Sequence, residues 1–375
     1  MTTIGIICEY NPFHLGHKYQ IEEIRKKYKD SLIICLCSST FTQRGDVSII
    51  NKWYKAQIAL ENNIDLFIEL PFVYATQSAD VFAMGAVEIL NKMNIDILFF
   101  GTETMDNDIL INLANIQLND KRYNKKVLEY LDTGLNYPTC LAKALKDISK
   151  IEIEKPNDIL GLSYTKEIIK NNYNIKIETI KRIDNYNNNL VVNNIASATH
   201  IRNLLNDNKD ISNYIVDNEL KYINKYKIDD FFPYLKYKII SEQNKIDKYV
   251  EVDESLKNRI IKNINNTNNW QELIMKIKTK RYTYTKINRA LVHILTSFTK
   301  EEAKNITTDY IRVLGFNKKG QNYLKKIKHN NILTHYKSNI SLALDIEYRI
   351  TSIYSLILNN NLDKEEITHN PIILD

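Results

Sequence analysis

The chain has 375 residues, 44% of them hydrophobic and 26% charged, with a net charge of +6. That length accommodates two domains and a sizeable core, and the composition is ordinary for a globular protein. No apolar run approaches the ~20 residues that a membrane helix needs, Met1-Thr2-Thr3 leads straight into a strand in place of a secretion signal, and four cysteines make no disulfide framework, so a cytoplasmic protein is expected.

The first half alternates strand and helix. Apolar runs at residues 4–8, 32–37, 66–70 and 97–100 predict strands, and residues 17–28, 52–61 and 79–92 predict the helices between them. Such alternation implies a parallel sheet covered on both faces, a Rossmann-like α/β arrangement that binds ligands at the carboxyl ends of its strands. Cys35 and Cys37 alternate within the second strand and read as small core residues.

The first strand runs into Glu9-Tyr10-Asn11-Pro12-Phe13-His14-Leu15-Gly16-His17. Asn11 and Pro12 favour a turn. Gly16 removes a side chain where backbone must approach a ligand. A helix opening at His17 aims free N–H groups and a positive dipole end at the turn, which suits phosphate. Two imidazoles three residues apart can donate hydrogen bonds to a phosphate as its charge grows. Two surface histidines at a loop are the bland alternative. A zinc site is disfavoured by the few His and Cys, seven and four. Gly101, in Phe99-Phe100-Gly101-Thr102-Glu103, follows the fourth strand and falls on the same edge of the sheet.

Helices are expected from 106 to 170, with breaks at Pro138 and Pro156. In Lys155-Pro156-Asn157-Asp158, Asn157 is either a helix cap or an amide offered to a ligand. A strand carrying Lys181 and Arg182 is predicted at 175–183, then a polar loop at 185–189. In Ile195-Ala196-Ser197-Ala198-Thr199-His200-Ile201-Arg202, small hydroxyl residues open a helix with an Arg one turn inside. Ser197 and Thr199 can cap that helix and bond phosphate oxygens, and Arg202 supplies a bidentate cationic fork. A plain capped helix is the alternative, but this motif following the histidine turn in this order favours triphosphate binding.

Past residue 206 strand signals fade. Helices are predicted at 232–243, 254–265, 270–278 and 284–296, which divides the chain into 1–206 and a mainly α-helical 207–375. Residues 271–330 carry 14 Lys/Arg against 4 Asp/Glu, a surface suited to a polyanion. Lys278-Thr279-Lys280-Arg281-Tyr282-Thr283-Tyr284 interleaves cations with aromatics, as surfaces that contact RNA phosphates and stack unpaired bases do. Lys318, Lys319, Lys325, Lys326 and Lys328 extend the patch, and a solvated helix face is the alternative.

His-x-Gly-His and the Ser/Thr-x-x-x-Arg type motif resemble the two signatures of the nucleotidyltransferase superfamily. Together with Gln43-Arg44-Gly45 and residues 68–74, 99–103, 155–161, 278–289 and 310–323, they make the whole chain similar to the tRNA(Met) cytidine acetate ligase family. The resemblance implies ATP-dependent activation of acetate to acetyl-adenylate, with release of pyrophosphate. The acetyl group would then pass to the exocyclic amine of the wobble cytidine of elongator tRNA(Met), giving N4-acetylcytidine. It places ATP contacts on Ile7, Cys8, Glu9, Tyr10, Asn11, Pro12, Phe13, His14, Leu15, Gly16, His17, Lys18, Tyr19 and Gln20, and on Gly101, Asn157 and Arg182.

On that reading His14 and His17 are catalytic and face the α-phosphate. Lys18, Ser197, Thr199 and Arg202 face the distal phosphates, Gly101 lets adenine or ribose lie against the backbone, and Arg182 adds a cation. Mg²⁺ would arrive on the ATP phosphates, with no carboxylate cage of its own. Acetate would meet Gln43 or Arg44 in the 38–45 loop, although Arg44 could equally pair with Asp46. Ser39-Thr40 departs there from the family's Gly followed by a polar residue. The tRNA would meet Lys278, Lys280, Arg281, Tyr282, Tyr284, Lys318 and Lys319; neither a membrane nor an obligate protein partner is implied. The competing classes are a small-molecule adenylyltransferase of the same superfamily and a non-catalytic RNA-binding protein.

Overall fold

A computed structural model of the chain describes residues 1–182, 195–216, 219–327, 331–357 and 361–375. The predicted 185–189 loop, residue 183 of the predicted fifth strand and Lys328 lie outside the described residues. Strands β1 (Thr3–Cys8), β2 (Leu32–Ser38), β3 (Leu66–Leu70), β4 (Ile97–Thr102) and β5 (Lys176–Lys181) form a parallel sheet in the order β5-β4-β1-β2-β3. Alternate residues face opposite ways. Ile34, Leu36, Ile68 and Leu98 join one core, and Ile33, Cys35, Phe67 and Ile97 join the other. Cys35 and Cys37 share the second face, as the period of two requires.

The helices Leu15–Lys27, Lys52–Glu61 and Ala79–Lys92 lie between the strands, close to the predicted limits. Pro138 and Pro156 each stand in the first turn of a helix, Tyr137–Ser149 and Pro156–Lys170, where a missing N–H costs nothing. The strand order reverses between β1 and β4, so the crevice at their carboxyl ends is the natural ligand site of such a sheet.

The second half is mainly helical, with helices Phe232–Glu242, Glu254–Ile264, Trp270–Ile277 and Tyr284–Leu295 close to prediction. It then returns to the sheet in strands that the sequence reading missed. Strand β6 (Ile311–Asn317) pairs antiparallel with β3, with Leu66 opposite Phe316. Short strands β7 (Ile332–Leu333) and β8 (Ile372–Leu374) pair with β6. A fully buried Arg312 interrupts the apolar run of β6 and hides its signal. Gly315 has a packing reason: a Cβ there would lie 2.7 Å from Cδ1 of Leu60.

Candidate active site

The turn after β1 is built by its own histidines. Nδ1 of His14 accepts the Gly16 N–H at 3.1 Å, and Nδ1 of His17 accepts the His14 N–H at 3.2 Å. His14 is the N-cap of the Leu15–Lys27 helix, and the two bonds form a reciprocal capping box. This network assigns the proton of each neutral ring to Nε2. The rings stack with centroids 3.7 Å apart, and His17 also packs on Tyr10 and Phe13 at 4.8 and 5.6 Å. Burial, then His14 and Arg182, holds the His17 imidazole well below its ordinary pKa, so it is neutral at pH 7. A Cβ on Gly16 would sit 2.9 Å from Cε1 of His14. The folded-back imidazole is therefore what requires this glycine, where the sequence reading had invoked close approach of a ligand.

The second half clamps this turn. Leu15 N–H donates to the Tyr214 carbonyl at 3.0 Å, and Phe13 N–H donates to Oε1 of Glu219 at 2.7 Å. Glu219 is fully buried, and that burial pushes its carboxyl well up. Lys55 is a second hidden support: its buried ammonium donates to the carbonyls of Glu9, Ser38 and Ser39 at 2.8, 3.0 and 3.0 Å. It ties the exits of β1 and β2 together. Neither residue belongs to a motif; the only sequence signal was a lysine on the apolar side of a helix.

At the carboxyl ends of β1 and β4 opens a cleft of about 200 Å³, continued by a recess of about 50 Å³ beside the first helix and β5. Ile7, Cys8, Glu9, Tyr10, Asn11, His14, His17 and Gln20 line the cleft, joined by Gly101, Asn157, Arg182, Ser197, Thr199 and Arg202 from four other segments. Gly16 and Tyr19 line the recess. Pro12, Phe13, Leu15 and Lys18 line neither; Pro12 and Phe13 are buried and Lys18 points to solvent.

Several of these groups also hold the site together. Ser197 caps the Ala198–Asn206 helix through the His200 N–H at 3.2 Å. Arg202 donates to the Asn11 carbonyl at 2.7 Å and pairs with Asp46 at 3.1 Å. Asp46 is thus committed to Arg202 and not to Arg44. Arg44 lines the cleft, and its guanidinium makes no hydrogen bond or ion pair to the described residues, while its carbonyl accepts the Asn288 amide at 2.8 Å. Gln43 is less available, since its amide donates to the Gln77 carbonyl at 2.6 Å. Asn157 is not a cap, because Lys155 holds that position; its amide donates to Glu103 at 2.6 Å. Gly101 lies under the Arg182 stem: a Cβ there would lie 3.1 Å from the Arg182 Cγ.

The expected RNA surface divides. Tyr282 cannot stack on a base: it is 1% exposed and its hydroxyl donates to Asp253. Lys278, Lys280 and Arg281 are exposed, and Tyr284 is half-buried. Asn288, one turn beyond Tyr284, makes the bond to the Arg44 carbonyl, so this segment stands beside the cleft. Lys318 and Lys319 do not extend it. They follow the end of β6, which lies at the amino end of β3 because β6 runs antiparallel to it, and Lys319 donates to the Ser31 carbonyl just before β2. Lys325 and Lys326 are exposed in the same region.

A parallel sheet with this histidine turn on its first strand defines a HIGH-type nucleotidyltransferase. The chain matches the family HIGH Nucleotidyl Transferase over residues 1–370. It is 37% identical to the tRNA(Met) cytidine acetate ligase of Anoxybacillus flavithermus over 98% of each chain, and 34% identical to that of Bacillus subtilis over 100% of this chain and 98% of the other. Among solved structures, it superposes on Thermotoga maritima TmcAL, apo, with a TM-score of 0.91 at 27% identity, and on the same protein bound with alpha-thio ATP with a TM-score of 0.88 at 26%, each over the full length of both chains. The chain belongs to the tRNA(Met) cytidine acetate ligase family within the HIGH nucleotidyltransferases.

Proposed function

We infer that the chain is an ATP-dependent ligase that adenylates acetate and acetylates N4 of the wobble cytidine in elongator tRNA(Met). The observation that carries this reading is convergence. The stacked His14–His17 pair, Arg182 beside Gly101, and the Ser197–Arg202 helix come from distant parts of the chain and line one cleft. An acetate oxygen attacks the α-phosphorus, the α–β bond breaks, and pyrophosphate leaves with the electron pair. Acetate is a weak nucleophile, so the work falls to positioning and charge neutralisation. The Nε2–H groups of His14 and His17 serve the α-phosphate; Ser197, Thr199 and Arg202 serve the leaving pyrophosphate, with Arg182 on the nucleotide. Mg²⁺ would enter on the ATP phosphates. Among the described residues no group of three His, Cys, Asp or Glu could hold a metal, and no helix is long and apolar enough to cross a membrane.

Residues 1–206 would carry the chemistry in the cytoplasm, and residues 207–375 would hold the RNA, chiefly through Lys278, Lys280, Arg281 and Tyr284 beside the cleft. The test is mass spectrometry of nucleosides from unmodified elongator tRNA(Met) incubated with the protein, ATP and labelled acetate. Labelled N4-acetylcytidine at the wobble position is expected. ATP cleavage without that product would reopen the acceptor.

Arg44 is the acetate partner we favour over Gln43, because it lines the cleft and its guanidinium is uncommitted among the described residues. Arg44→Ala should raise KM for acetate by roughly 10- to 100-fold, the worth of a charge-assisted bond, with a smaller change in KM for ATP. Acetate titration of pyrophosphate exchange reads both, and an unchanged acetate dependence would remove Arg44 from the pocket.

A further inference from the structure

One lobe of the cleft is larger and more aromatic than acetate requires. It lies between the ends of β1 and β4 and the helices Ala79–Lys92 and Pro156–Lys170, with walls of Phe82, Phe100, Leu160 and Tyr164. Tyr164 is 5% exposed, and its ring meets that of Phe100 edge-on at 5.6 Å. Its hydroxyl bonds to none of the described residues, although the side chain lines the cavity. The hydroxyl is therefore open to whatever occupies the cavity. On the rim stands Glu9. Its Oε1 accepts the Gln43 N–H at 2.6 Å, while Oε2 has no hydrogen-bond partner among the described residues.

We propose that this lobe receives the acceptor cytosine of the RNA, read by Glu9 and Tyr164, and that Glu9 takes the proton its amine loses. The proposal rests on the functional reading above. The Watson–Crick edge of cytosine offers an N4 amine donor beside the N3 acceptor. Glu9 Oε2 matches the donor and the Tyr164 hydroxyl matches the acceptor. Uracil presents the opposite pattern and would leave both groups mismatched. Enzymes that act on a base take it out of the stack and hold it between aromatic and apolar walls, as Phe82, Phe100 and Leu160 would here.

In the transfer step the N4 lone pair attacks the acetyl carbonyl carbon of acetyl-adenylate. The N4–C bond forms, the bond from that carbon to the phosphate oxygen breaks, and AMP leaves with the electron pair. The N4 proton passes to the Glu9 carboxylate and then to solvent. Burial pushes the Glu9 carboxyl up, which makes its carboxylate a better base than one in water. Lys55 and Arg202 oppose that shift, Asp46 reinforces it, and Glu9 in turn acts on Tyr164.

Adenine carries the same donor–acceptor edge as cytosine, so the ATP base is the rival occupant. The recess beside Gly101, Ile180 and Arg182 opens off the cleft and offers the ATP base a separate edge to approach. Two variants decide between them. Glu9→Gln keeps an oxygen for the Gln43 N–H but is no base, and Tyr164→Phe keeps the ring and removes the hydroxyl. Each is compared in acetate-dependent pyrophosphate exchange and in single-turnover transfer from pre-formed, enzyme-bound acetyl-adenylate to tRNA. For Glu9→Gln, transfer should fall by about 10²–10⁴-fold beyond any fall in exchange, and the acid limb of its pH profile should vanish. For Tyr164→Phe, transfer should fall about tenfold beyond exchange. Equal losses in both half-reactions, or a raised KM for ATP with transfer intact, would overturn the proposal. Loss of folding in one variant leaves the other decisive. No acetate-dependent exchange by the unsubstituted enzyme would overturn the functional reading and this inference with it; exchange with normal transfer in both variants would overturn this inference alone.

Discussion

Replacing His17 by Asn should slow acetate-dependent pyrophosphate exchange by about 10²–10³-fold, the usual cost of removing one donor aimed at charge that develops in the transition state. The loss should fall on kcat and leave the fold in place. An Asn amide oxygen can take over the role of Nδ1, accepting the His14 N–H that closes the capping box. What it cannot supply is the Nε2–H donor on the far side of the ring. His17→Gln places an amide nearer that donor and should recover part of the rate. Equal rates for the wild type and the Asn variant would remove His17 from the chemistry.

The same ring carries a pH signature. Folding holds the His17 pKa below the 6.5 of the free side chain, so below pH 6.5 the unfolded state binds the proton more readily. Its contribution to stability is whole above pH 6.5 and is lost as pH falls from there toward the lowered value. Urea midpoints measured between pH 7 and 5 should fall for the wild type and fall less for His17→Asn.

How much of this was legible in the sequence depended on whether the signal was local. The helices Lys52–Glu61 and Ala79–Lys92 and the first four strands follow from periodicity and from the punctuation around them. The histidine turn and the Ser197–Arg202 helix were legible because phosphate chemistry needs those side chains at fixed spacing. Side and depth were not. Tyr282 in an alternating cation–aromatic string reads the same whether it faces solvent or reaches inward to Asp253. Lys318 and Lys319 were placed on the wrong edge because their position depends on the direction of β6, and that strand was hidden by Arg312. Glu219 and Lys55 shape the turn through contacts 206 and 46 residues away in sequence, a distance no motif spans.

Lys52→Met should cost about 3–5 kcal/mol of stability, the largest effect expected of a single change outside the apolar core. Lys52 is buried and its ammonium pairs with Glu69 of β3, at 2.7 Å, and with Glu366 near the carboxyl end of the chain. Arg312 of β6, fully buried, donates to the Glu366 carbonyl at 3.2 Å, and Thr351 donates to the Glu366 carboxylate at 3.1 Å. This polar cluster ties β3 and the helix Lys52–Glu61 to β6 and the helices near the end of the chain. Burial alone would pull the Lys52 ammonium down, but Glu366, Glu69 and Glu347 more than reverse that, and the amine stays charged.

Three carboxyls face two cations; burial, then Glu69, pushes Glu347 up to about 8, so it holds its proton at neutral pH, and burial raises Glu69 as well. Methionine matches the length of the lysine stem without the charge, and it leaves Glu69 and Glu366 to share Arg312. Urea denaturation at pH 7 measures the loss, and a cost below about 1 kcal/mol would mean that water or rearrangement already screens the pair. Adding Glu69→Gln should restore part of the stability, since it removes the charge that Met strands, and the double-mutant cycle should show that coupling. The pH dependence runs opposite to that of His17. Between about 4.5 and 8 the folded chain holds the Glu347 proton that the unfolded chain has released, so this contribution is fully present below 4.5 and declines as pH rises through that window. Glu347→Gln, which mimics the protonated group, should flatten the decline while the His17 limb remains.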